Sequence, residues 1–200
     1  DRFHPRAHEL AEVVDGLQDQ EPEGLPSVVP LRTPDAADPS KPSVLLLHED
    51  DCRPEDFDLS ALTIGGAATL AGSHLRSPQP VSPRVTAFET GAVEDTGARM
   101  GLSPTPLVAG VPGDLARWAS QSGATQIVTP YVPTGPLGDW LCEARAALDA
   151  AGITLVELRR DWDALIWPHA TAGFFKVKKK IPSILEDAGL LHGTPRLPGL

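Results

Sequence analysis

The sequence predicts an α/β fold: a doubly wound five-stranded parallel sheet, preceded by a short helix and a Pro-rich linker. Three observations predict it. Short apolar runs alternate with stretches of helical period, the pattern of repeated β-α-β crossovers. Val44-Leu45-Leu46-Leu47 is apolar without interruption, as a strand covered on both faces requires. Leu137, Leu141, Ala144 and Leu148 recur at helical spacing, and Gly152 follows as a stop signal.

The elements follow in order. Leu10, Val13, Val14 and Leu17 form one apolar stripe and predict a helix over 3–18, within an N-terminal segment 1–20. Residues 21–42 are rich in Pro, Asp, Glu and Ser without periodicity and read as a linker. The main domain is expected at 43–191, with a tail at 192–200. Its first strand is 44–47, closed by His48-Glu49-Asp50-Asp51. The second is 62–70, weakened by Gly65-Gly66. A helix over 82–100 leads to a third strand at 106–111. A helix at 114–122 carries Leu115, Trp118 and Ala119 on one face. Gln126-Ile127-Val128-Thr129 is the fourth strand, 136–151 a helix, and 153–158 the fifth strand. Right-handed crossovers then put the ligand side at the carboxyl ends of the strands, near the point where strand order reverses.

Charge narrows the function. The net charge is −10, and residues 1–100 carry 18 acidic and 8 basic side chains against 9 of each in residues 101–200. Such a chain has no overall basic face for nucleic acid. Lys176-Val177-Lys178-Lys179-Lys180 is its one basic cluster, either a solvated helix face or a phosphate contact. Two lone cysteines, Cys52 and Cys142, show no zinc spacing and fit a reducing compartment. No apolar run is long enough to span a bilayer and no signal peptide is written, so a cytoplasmic location without membrane contact is expected. The first residue is Asp, which predicts a chain processed, truncated or excerpted from a longer one.

The candidate site residues sit at strand ends. His48 and Glu49 close the first strand, where a hard cation or a general acid could be held, although carboxylates there commonly cap helices. A metal is not expected. Gly65-Gly66 could let a ligand approach the backbone, or mark a bulge. Thr129 and Tyr131 end the fourth strand, beside a turn stiffened by Pro130 and Pro133. No GxGxxG, P-loop or catalytic triad can be assembled, so no catalytic residue is named.

The aromatic residues concentrate after the fifth strand. Trp162, Trp167, Phe174 and Phe175 are two of four tryptophans and two of five phenylalanines. They predict a packed corner or a docking surface. Trp162 and Trp167 are expected to cap the core, and Phe174, Phe175, Lys176, Lys178 and Lys179 to form an interface. The stripe of the N-terminal helix is expected to dock on the same partner domain or chain.

From 43 to 191 the chain resembles the α/β antenna domain of the DNA photolyase/cryptochrome family. The resemblance lies in Gly123-Ala124-Thr125-Gln126-Ile127-Val128-Thr129, in Ala151-Gly152-Ile153-Thr154-Leu155, and most in Trp167-Pro168-His169-Ala170-Thr171-Ala172-Gly173-Phe174-Phe175. It implies a Rossmann-like sheet, a folate or deazaflavin antenna chromophore, and a part in a flavoprotein acting on DNA or in light response. It implies no catalysis by this chain alone. The family's helical FAD domain has no counterpart in these residues, so FAD is not expected here and DNA would be met only indirectly. If the chain is part of an enzyme, that enzyme would be deoxyribodipyrimidine photolyase-like. The family's first-strand motif, an aromatic followed by Arg-Asp, is replaced by residues 45–51. Two other readings stand beside this one. The first is a free-standing nucleotide-binding domain of universal-stress or electron-transfer-flavoprotein type. The second is an interaction module with no ligand.

Overall fold

A computed structural model describes residues 30–171 and 173–190. The helix expected at 3–18, residues 21–29 of the linker and the tail lie outside the described residues. The chain divides into two units, Asp1–Arg32 and Thr33–Leu200, and the sheet with all its helices belongs to the second.

Five parallel strands form one sheet in the order β3-β2-β1-β4-β5. They are β1 (Ser43–His48), β2 (Ile64–Ala71), β3 (Thr105–Val108), β4 (Gln126–Pro130) and β5 (Thr154–Leu158). The Rossmann-like α/β class is therefore as the sequence predicts, down to the strand count. β1 is central, and all six of its residues are buried. Its side chains alternate between two apolar layers, as the pleat demands. Val44 and Leu46 join the larger layer with Leu70, Ile127 and Leu155. Leu45 and Leu47 join the smaller one with Ala67 and Val128.

The helices follow from crossover geometry. Helix α1 (Pro83–Arg99) links β2 to β3, α2 (Gly113–Gln121) links β3 to β4, and α3 (Pro136–Ala150) links β4 to β5. The chain moves outward through β3, then returns past β1 to β4. Right-handed crossovers therefore put α2 and α3 on one face and α1 on the other. Leu115 and Ala119 of α2, and Leu137, Leu141, Ala144 and Leu148 of α3, fill the larger layer. Leu59 and Leu62 of the β1–β2 connection, with Met100 and Leu102 after α1, cover the smaller one. Both α2 and α3 are followed by a left-handed glycine, Gly123 at φ 70° and Gly152 at φ 69°. A side chain there would be strained, so glycine is the fitting terminator.

The boundary that differs most from expectation is the end of β3. β3 ends at Val108 rather than at residue 111, because Gly110 N turns back to donate to Val108 O at 2.7 Å. Beyond β5 the chain forms α4 (Asp161–Ile166), a 3-10 turn (Trp167–His169), α5 (Phe174–Lys178) and α6 (Ile181–Asp187). Pro182 separates the last two by occupying the first turn of α6, where its missing N–H costs nothing. Among the described residues, no helix is long and apolar enough to cross a membrane.

Candidate functional site

Strand order reverses between β1 and β4, so the crevice a doubly wound sheet offers to ligands opens beyond His48 and Pro130. Three clefts lie along this carboxyl edge. One, of about 240 Å³, lies over the ends of β4 and β5 between Asp51, Tyr131, Arg160 and Trp167. A second, of about 450 Å³, runs from Asp50 and Arg76 to the start of α3 at Gly135 and Pro136. A third, of about 380 Å³, lies between the ends of β1 and β2 and the first turns of α1, against Glu49, Glu89 and Phe88.

The structure sorts the expected site residues into two groups. Glu49 and Tyr131 reach the clefts. The others do not, and each has a structural task instead. His48 is 1% exposed, and its Nε2 lies 3.1 Å from Pro130 O, tying the ends of β1 and β4 together. Burial pushes its pKa below the ordinary histidine value, so the ring is neutral. Thr129 is fully buried and donates its hydroxyl to Leu46 O at 3.0 Å, a side-chain rung between β4 and β1. Gly65 and Gly66 correct the sequence reading most clearly. They sit at the start of β2, the end away from the clefts. Between Ser43 and Leu45 the pairing to β2 slips from Ile64 to Ala67, so one extra β2 residue is accommodated there. The glycines absorb a bulge at the end of β2 remote from the clefts.

The residues that shape the edge electrostatically are ones the sequence reading missed. Arg160, two residues past β5, reaches back to the turn after β1. Its Nη2 donates to Asp51 Oδ1 at 2.9 Å and to Arg53 O at 2.6 Å, and its Nε to Asp56 Oδ2 at 3.2 Å. Its guanidinium also stacks 4.7 Å from the Phe57 ring centre. Burial alone would raise the Asp51 pKa, but hydrogen bonds from Arg160 and from Arg53 N hold it below the usual carboxylate value. Asp51 is thus a structural anion whose charge is already matched.

Glu89 of α1 is the second missed residue, 4% exposed in the middle of a polar helix. It accepts from Gly72 N at 2.8 Å, from Ser73 N at 3.1 Å and from the Ser73 hydroxyl. These donors outweigh burial and keep its pKa below the ordinary value. Glu49 behaves oppositely. Burial, with the nearby Glu89 charge, pushes its pKa up to about 7, against the pull of Arg76. Arg76 Nη2 donates to Glu49 Oε1 at 3.1 Å and to Asp50 Oδ1 at 2.7 Å. The Glu89 charge beside Glu49 therefore favours its protonated form.

The aromatic stretch divides in two. Trp167 meets Tyr131 edge-on, and Arg159 lies 5.4 Å over the same tyrosine ring. Trp162 is 44% exposed, so it does not cap the core as expected. Its helix, α4, contains no buried residue. Phe174 and Phe175 meet edge-on, 64% and 73% exposed, in the short helix that carries Lys176 and Lys178.

No family model matches the chain, and no curated protein matches it significantly.

Proposed function

We propose that the chain is the α/β module of a photolyase/cryptochrome-like flavoprotein, acting with a partner domain or chain and not catalytic alone. One observation carries this reading. The resembling stretch 167–175 folds back at one end and stands out at the other. Trp167 closes over Tyr131 at the carboxyl edge of the sheet, while Phe174 and Phe175 project beside the lysines, largely uncovered by the described residues. A pair of exposed rings flanked by cations, just past the last strand, has the composition of an interface core with a charged rim.

On this reading the edge clefts serve an antenna chromophore, a folate or a deazaflavin. The 450 Å³ cleft at the switch point lies in the size range of small-molecule sites. DNA is met through the partner, and two free thiols fit a cytoplasmic setting. The adenine-nucleotide reading loses support, because Gly65 and Gly66 lie at the wrong end of β2.

The near-UV and visible spectrum of the purified protein tests the chromophore. Absorption beyond the protein band, restored after stripping by adding methenyl folate or a deazaflavin, is the expected result. A bare spectrum that neither compound changes would remove the chromophore and leave an interaction module.

A further inference from the structure

We infer that the cleft between Glu49, Glu89 and Phe88 is a binding site for a small organic cation, an amine or amidinium with an apolar body. This site does not depend on the chromophore reading. It lies by α1, and its walls and floor differ in character. Val85 and Phe88 of α1 form an apolar wall and are 50% and 79% exposed. The floor is made by the Glu49 and Glu89 carboxyl groups, with side-chain or residue exposures of 9% and 4%.

The floor is acidic and incompletely satisfied. Glu89 is held by three donors from Gly72 and Ser73. Glu49 receives one bond, from Arg76, and that guanidinium is half exposed and shared with Asp50. Glu49 Oε2 is buried, and among the described residues no donor reaches it. A buried acceptor without a donor is costly. The protein by itself meets this cost by keeping a proton on Glu49, facing the Glu89 carboxylate. A ligand with N–H donors and a positive charge would match the charge of the Glu49 carboxylate in that proton's place and release the proton to solvent. Its apolar body covers Val85 and the Phe88 ring, whose face also attracts a cation. An anion would meet two carboxylates against one shared arginine. A neutral ligand would leave the charge unmatched. The 380 Å³ volume suits a ligand the size of one ring and its substituent.

Benzamidine is the probe, titrated calorimetrically into the full chain at about pH 7 in two buffers of different ionisation enthalpy. Saturable binding in the low-millimolar range or tighter is expected, with a buffer-dependent heat that reports proton release. The charged groups facing Glu49 are Glu89, Asp50 and Arg76, and the Glu49 carboxyl itself is raised to about 7. Binding should therefore tighten about tenfold from pH 6 to pH 8, as Glu49 loses its proton. Glu49→Gln should weaken binding at least tenfold at the higher pH. Phe88→Ala, at an exposed position, gives a second, fold-neutral variant and should weaken it severalfold. Absence of saturable binding would overturn the inference. So would equal binding of uncharged benzamide, or of benzamidine to both variants.

Discussion

Tyr131, the first residue after β4, meets Trp167 edge-on with ring centres 5.5 Å apart and planes at 60°. Thirty-six positions of chain separate them, including all of α3 and β5. The contact ties the segment after the sheet to the end of β4. Trp167→Ala removes an edge-to-face pair and part of a buried indole. It should destabilise the protein by about 2 kcal/mol, less than for a fully buried tryptophan, because the ring is only half-buried. Thermal melts check this. An unchanged melting temperature would mean that the corner is not structural.

Leu46 tests the centre of the sheet. It is 0% exposed in a strand with neighbours on both edges. Leu46→Ala should cost about 2–5 kcal/mol. Leu46→Asp should abolish folding, because it buries a charge that nothing can match. A cooperative melt and native circular dichroism from the Asp variant would contradict the assignment.

The Glu49 carboxyl makes stability pH-dependent, with a definite sign. Its folded pKa of about 7 lies above its ordinary 4.5, so its protonated form is favoured by folding. That contribution is complete below about pH 4.5 and is lost as pH rises through about 7. His48 acts the other way. Its folded pKa lies below its ordinary 6.5, so its contribution is complete above about 6.5 and is lost below, as pH falls through its folded value. The two slopes oppose each other in mildly acidic solution. Comparison with Glu49→Gln isolates the first. The variant should melt close to wild type at about pH 5 and above it at about pH 8. A constant difference across that range would show that Glu49 titrates normally.

Phe175 separates stability from association. It is 73% exposed in a helix without buried residues. Phe175→Ala should leave the melting temperature within experimental scatter and weaken binding to the proposed partner. A much lower melting temperature with normal association would assign the ring to the domain's own packing.

How far the sequence could be read depends on the range of each interaction. β1 and α3 were legible because their burial is written locally, as an apolar run and a helical stripe. Thr129 looked ligand-facing from its place at a strand end. Only the position of Leu46, on the neighbouring strand, reveals that its hydroxyl has a backbone partner. Gly65-Gly66 signalled backbone irregularity correctly, but a dipeptide cannot say which end of a sheet it occupies. Arg160 was silent because its carboxylate partner Asp51 is 109 positions away. The hint was the cluster Glu49-Asp50-Asp51 itself, which needs cations that the first half of the chain scarcely supplies. Glu89 gave no hint, since an acidic residue on a polar helix is the commonest kind of surface.

The central place of β1 has a consequence for synthesis on the ribosome. Its second edge is closed by β4, and the rung from Thr129 to Leu46 spans 83 positions. At roughly 5–20 residues per second, β1 emerges about 4–16 s before the strand that covers that edge. During that interval a strand whose four middle residues, Val44 to Leu47, are apolar can pair with β2 on one side only. The nascent chain therefore exposes one edge of its central strand throughout that interval. Its yield in a cell should depend on chaperone capacity more than its final stability would indicate.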